Sequence, residues 1–149
     1  WLGKALKNIN AKFEFMFLTL IMGIFNFFAS PDLSYKEFEK WVDCSLNTEL
    51  PKDVVAFCFN LYDDDNGQWS IELVGTSCFD KDDSDWACYE VFDTRNNPLK
   101  WKSKESWKIV LSSVRSHLET YMKNGKHASM LSSQQGIALG FVDGDLIIL

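Results

Sequence analysis

Two apolar runs joined by an acidic turn constrain this 149-residue chain more than any other stretch. The first, Val54 to Tyr62, reads Val-Val-Ala-Phe-Cys-Phe-Asn-Leu-Tyr. It is dense in the β-branched and aromatic side chains that fit a pleated, buried surface, and it reads as a central strand. Asp63-Asp64-Asp65-Asn66-Gly67 follows, and Asn-Gly supplies the positive-φ residues that a tight hairpin turn demands. From Gln68 to Gly75 the pattern alternates. Trp69, Ile71 and Leu73 fall on one face, Gln68, Ser70 and Glu72 on the other, as in a half-buried antiparallel partner.

The remaining elements group around that hairpin. Before it, Asp32 or Ser34 is placed to cap a helix from Leu33 to Leu46, whose apolar face is Phe38, Trp41, Val42 and Leu46. After it, Trp86 to Phe92 reads as a third strand, with Trp86, Cys88, Glu90 and Phe92 on one face. Asp93 to Lys102 reads as a long connection. Ser103 is placed to cap a long helix ending near Asn124, with Trp107, Val110, Leu111, Val114, Leu118, Tyr121 and Met122 as its apolar stripe. Gly136 to Val142, an Asp143-Gly144 turn and Asp145 to Leu149 form a second hairpin. The expectation is an α+β fold of order α-α-β-β-β-α-β-β: an antiparallel sheet of about five strands with helices packed on one face.

Residues 1–30 stand apart from the α+β domain of residues 31–149. Lys4, Lys7 and Lys12 precede a run from Phe13 to Ala29 that is nearly all apolar. On a helical wheel Lys12, Thr19, Gly23, Asn26 and Ser30 fall within about 60° of one another. A narrow polar stripe on a wide apolar surface suits a packed or partner-binding helix, or one lying on a membrane. A membrane or signal segment and an upstream extension are the alternatives for residues 13–29.

The formal net charge of −6 argues against non-specific nucleic-acid binding, which needs an electropositive face. It favours a basic partner. From Asp63 through Thr94 there are ten acidic residues (Asp63, Asp64, Asp65, Glu72, Asp80, Asp82, Asp83, Asp85, Glu90, Asp93) and one basic residue, Lys81. If the turn at Asp63–Asp65 and the loop at Asp80–Asp85 converge, they form a single-sign field. Exposed aromatics beside such a field would be binding anchors, and Trp69, Trp86, Tyr89 and Trp101 are the candidates, with a place in the core as the alternative for each.

Chemistry finds less support. An EF-hand register on Gly67 puts Tyr62 and Leu73 at ligand positions where carboxylates are needed. Cys44, Cys58, Cys78 and Cys88 form no C-x-x-C pair, and the only histidines are His117 and His127, so no metal site and no cofactor is expected. Four cysteines could make two disulfides, but scattered buried thiols in a reducing compartment is the preferred reading. His117 reads as a structural residue beside the helical stripe, and His127 as exposed. Phosphate-loop, dinucleotide-binding and nucleophile-elbow patterns are absent. No catalytic residue is assigned; a carboxylate-dependent hydrolase is the remaining enzymatic alternative.

Four phrases are familiar together. They are Leu50-Pro51-x-x-Val54-Val55-Ala56-Phe57, then Phe59-Asn60-Leu61-Tyr62, then Phe79-Asp80 with Asp85-Trp86-Ala87-Cys88-x-Glu90-Val91-Phe92, and the terminal Gly140-Phe141-Val142-Asp143-Gly144-Asp145. Their order over residues 33–149 resembles bacterial immunity proteins encoded beside polymorphic or contact-dependent growth inhibition toxins. The resemblance implies a non-enzymatic inhibitor, cytoplasmic, that binds the basic C-terminal domain of a cognate toxin, often a nuclease. Asp63, Asp64, Asp65, Asp80, Asp82, Asp83, Asp85, Trp86, Tyr89 and Glu90 are the expected partner-binding residues. The alternative is an accessory protein associated with the inner membrane through residues 13–29.

Overall fold

The computed structural model describes residues 32–149, and Asp32–Leu149 make one unit. The expectations placed on residues 1–30 lie outside the described residues. Helix α1 (Tyr35–Leu46) begins at Ser34, whose Oγ accepts from the Glu37 amide while the Glu37 carboxylate accepts from the Ser34 amide. This reciprocal capping box satisfies two amides that a helix start otherwise leaves open. Asp32 accepts instead from the Ser103 hydroxyl at 2.6 Å. The buried face of α1 is Phe38, Trp41, Val42 and Leu46, as the spacing predicts.

Strands β1 (Ala56–Asp63) and β2 (Gln68–Thr76) pair antiparallel from Ala56↔Thr76 to Asp63↔Trp69. The turn between them holds Asp65, Asn66 and Gly67 at φ of 67°, 53° and 72°. Three successive left-handed residues explain why Asp-Asn-Gly stands there. A Cβ on Gly67 would also come within 2.8 Å of the Ser103 carbonyl.

The α+β class is borne out, and the sheet departs from expectation in two ways. It has six strands, ordered β3 (Glu90–Asp93), β2, β1, β5 (Gly136–Phe141) and β6 (Ile147–Ile148), with β4 (Leu99–Lys102) also on β2. It is mixed, because β1 and β5 run parallel, Ala56↔Gly136 through Leu61↔Phe141. The long helix α2 (Trp107–Asn124) lies between them in the chain and makes the crossover that a parallel pair requires. The second difference lies at the outer edge of β2. Strand β3 is only Glu90–Asp93, and Leu99–Lys102, inside the expected long connection, forms β4. The two share that edge in tandem, β3 along Val74–Thr76 and β4 along Gln68–Ile71.

Strand alternation sorts the core. Phe57, Phe59, Leu61, Trp69, Ile71, Leu73, Ile137 and Leu139 face α1 and α2 in one continuous cluster. Tyr121 of α2 donates to Asp43 of α1 at 2.5 Å, and His117 contacts the Leu33 carbonyl at 2.9 Å between Tyr35 and Phe38. His117 is thus structural, as read. The expectation for His127 is corrected: its Nε2 is buried with no hydrogen-bond partner. Helix α3 (Ala128–Ser132) precedes β5, and β6 (Ile147–Ile148) returns beside it. Among the described residues no helix is long and apolar enough to cross a membrane.

The opposite sheet face presents Ala56, Cys58, Val74 and Ala138, and Trp86 covers them. Here the third-strand expectation is corrected. Ser84–Cys88 is a 3-10 turn, capped by the Asp83 carboxylate, which accepts from Asp85 N at 3.0 Å. The tight turn swings Trp86 back onto the sheet, where Phe79 meets it edge-on at 5.0 Å. An extended strand would have left that apolar face bare.

Candidate interaction surface

The two acidic stretches lie at opposite ends of the β1–β2 hairpin. Asp63–Asp65 form the tip, beyond Gln68, whereas Asp80–Asp85 follow the far end at Thr76. Strand β2 runs nine residues, about 26 Å end to end at about 3.3 Å per residue. The ten acids therefore do not share one field.

Each stretch spends some of its carboxylates locally. Asp63, Asp80 and Asp83 accept the amide two residues on at 2.9–3.0 Å, the Asx turns that favour aspartate at bends. Asp82 and Asp85 are exposed. Tyr89 is 60% exposed beside this loop, its backbone tied to Trp86 and Ser77. Trp86 is 3% exposed and belongs to the core, as do Trp69 and Trp101. None of the three presents its ring to a partner, because each is needed to fill a sheet face.

Glu90 pairs with Arg95, as do Glu72 and Asp93, with Arg95 Nε 3.5 Å from Glu72 and Nη1 3.3 Å from Asp93. One cation just beyond the acidic window thus neutralises three of its members. Glu72 is buried on the same sheet face as Cys58 and accepts also from the Tyr62 hydroxyl and the Asn60 amide. Burial and the Glu72 bond push the Tyr62 phenol up. Burial, with the Glu72 and Glu90 charges behind it, pushes the Cys58 thiol up to about 12. That suits a protonated donor, and the thiol lies 2.9 Å from Asn60 Oδ1. Both Glu72 oxygens have partners, so this cluster is a closed structural network with no free base. Among the described residues no three His, Cys, Asp or Glu side chains converge as metal ligands.

At the tip end the geometry opens. The parallel pairing of Leu61 with Phe141 sets the ends of β1 and β5 side by side. The Asp143-Gly144 turn closes one wall, with Gly144 N donating to Phe141 O at 2.9 Å. Trp107, the first residue of α2, stands edge-on to Phe141 at 6.2 Å, and Phe141 stands edge-on to buried Trp69 at 5.9 Å. A relay of rings thus leads from the core to a groove of about 400 Å³ lined by Leu61, Tyr62, Trp107, Phe141 and Val142, with Asp63 and Asp143 among its walls. Trp107 is 53% and Val142 47% exposed.

Of the expected site residues only Asp63 lines this groove, with Asp64 and Asp65 next to it. Trp107, Val142 and Asp143 were missed as site residues. The helical pattern places Trp107 in the apolar stripe, but α2 starts at residue 107 rather than near 103, which leaves Trp107 at the rim. The signal in the sequence was the terminal Phe-Val-Asp-Gly phrase, whose aromatic precedes an acidic turn. No known protein family, curated protein or solved structure matches this chain.

Proposed function

We propose that this protein is an immunity-type inhibitor that neutralises a basic toxin domain by binding it at the tip of the β1–β2 hairpin. The observation that carries the reading is the groove, an exposed apolar floor with carboxylates beside it. Desolvated aromatic contacts supply affinity in protein interfaces, and surrounding charge supplies encounter rate and selectivity. Asp82 and Asp85, at the other end, act at longer range by adding to the net attraction for a cationic partner, and exposed Tyr89 carries no charge into that field.

The membrane-accessory alternative rests on residues 13–29 alone. The hydrolase alternative finds no base in Glu72, which is enclosed and paired.

The test is to produce this chain with the toxin domain encoded beside it, and to measure survival and association rate against salt. The chain rescues growth, and D63N/D64N/D65N slows association by about tenfold at low salt with a flatter salt dependence. Failure to rescue rejects the immunity reading. Rescue with unchanged association kinetics removes the hairpin tip from it.

A further inference from the structure

We infer that the groove at the hairpin tip is a receptor for an arginine side chain of the partner polypeptide; this deepens the binding reading above and rests on it. The groove joins two surfaces that few side chains satisfy together. Its lining is mainly apolar, from Leu61, Phe141 and Val142 with Trp107 at the rim, and Asp63 and Asp143 belong to the same lining. An aliphatic or aromatic side chain would cover the apolar part and leave two carboxylates desolvated beside it, a costly arrangement. Lysine would bring a compact, strongly hydrated charge. Arginine matches both parts: its methylene stem packs on the apolar lining, and its planar fork donates to carboxylates and lies against an indole face.

Two features of the molecule bear on the charge balance. The groove sits at the first turn of α2, whose open amides carry about half a positive charge. Two carboxylates line the groove and Asp64 and Asp65 follow at the tip, against Lys102 opposite Gln68 and Lys108 beside Trp107, so the carboxylates outnumber the nearby lysines. Lys108 Nζ lies 5.4 Å from the Trp107 ring centroid, within the range at which a ring face attracts a cation. The indole already has a cation from its own chain nearby, and the residue as a whole is 53% exposed.

The experiment uses the full chain with labelled tryptophan indoles, with the Trp107 cross-peak assigned through W107F. Blocked tripeptides carrying arginine, lysine, norleucine or citrulline at the centre are titrated in turn. Arginine shifts the Trp107 resonance saturably in the millimolar range. Lysine binds more weakly, and citrulline, which keeps the shape and loses the charge, leaves the resonance still. D63N and D143N each weaken the arginine peptide about threefold, the scale of one exposed ion pair. Norleucine or citrulline matching arginine would reject the charge recognition, and lysine matching arginine would reject the guanidinium. An arginine peptide that causes no shift, or one indifferent to both Asn variants, rejects the receptor outright. The two readings fail separately. A toxin domain that does not bind, beside an arginine peptide that does, rejects the immunity role alone. A toxin complex that forms without any arginine response rejects the receptor alone.

Discussion

The two acidic stretches are alike in composition and opposite in use. At Asp80–Asp85 the chain turns its carboxylates into caps and bends so that Trp86 and Phe79 can roof the sheet face that the helices leave bare. At Asp63–Asp65 the sheet is already covered by helices, and the acids project beyond a groove whose aromatic wall faces solvent. One stretch holds the fold together through the residue that follows it. The other spends only Asp63 on a local turn bond and leaves Asp64 and Asp65 exposed. Acidity alone does not distinguish them; what the neighbouring tryptophan touches does.

The comparison breaks first at Trp86. Removing a fully packed aromatic costs both its transfer free energy and the cavity left behind, so W86A lowers unfolding stability by about 3–5 kcal/mol. Denaturant melts measure this directly. A loss under about 1 kcal/mol would mean the loop is an ornament on the sheet rather than its roof. Cys58 supplies a second readout, since it lies under Trp86 in the same cluster. In the wild type a thiol reagent reaches the exposed Cys44 and Cys88 first; in W86A it reaches Cys58 as well.

The same roof has a signature in alkali. The Cys58 thiol rises from 9.0 to about 12, chiefly through burial. Below about pH 9 both folded and unfolded chains keep the proton, and the stabilisation is complete. Between 9 and 12 the unfolded chain loses its proton first, so stability falls as pH rises, by roughly 1.4 kcal/mol per unit at full slope. Tyr62 and Tyr121 shift the same way, but their unfolded pKa is near 10. The interval from about pH 9 to 10 therefore belongs mainly to the thiol. Stability measured there declines in the wild type and stays level in C58A. Equal slopes would show that water reaches the thiol beneath the roof.

How much of this was legible follows from where local and distant forces agree. The β1–β2 hairpin and the capped first helix were readable because Asp-Asn-Gly, Ser34 and Glu37 act within a few residues of themselves. Trp86 to Phe92 has the composition of a strand, yet Trp86 is claimed by Ala56, Cys58, Val74 and Ala138, residues distant in sequence that no local pattern reveals. The β1–β5 pairing is likewise silent in the sequence, because a parallel partner across a helix leaves no turn signature. The acidic half of the candidate site could be read at Asp63–Asp65. Its aromatic half could not, because it depends on α2 starting late enough to strand Trp107 at the rim.

A smaller effect separates the two stretches as charges. Carboxamides keep the Asx-turn acceptors, so D63N/D64N/D65N and D80N/D82N/D83N/D85N both leave the fold intact and remove only charge. On the immunity reading proposed above, the tip variant slows encounter with a toxin domain by about tenfold and the loop variant by about twofold, since steering decays over a Debye length of about 8–10 Å at about 0.1 M salt. Comparable slowing by both variants, measured by stopped flow at about 0.1 M salt, would place the docking surface away from the groove or across both ends.

The smallest effect on the fold is also the sharpest contrast. Trp107 and Trp86 are the same residue type beside the same kind of loop, and they differ in which side of the ring is filled. With 53% of its surface in water and one edge on Phe141, Trp107 has little buried area to lose, so W107A changes unfolding stability by less than about 1 kcal/mol. If the ring is the wall of a receptor, the same change abolishes the arginine-peptide response and weakens the toxin complex by about 2 kcal/mol or more, the scale of an interface hot spot. Truncation at residue 107 then spares the fold and removes binding, whereas truncation at residue 86 damages the fold first. A W107A protein as destabilised as W86A would make Trp107 a core residue with one wet edge, and the distinction between the two acidic stretches would fall with it.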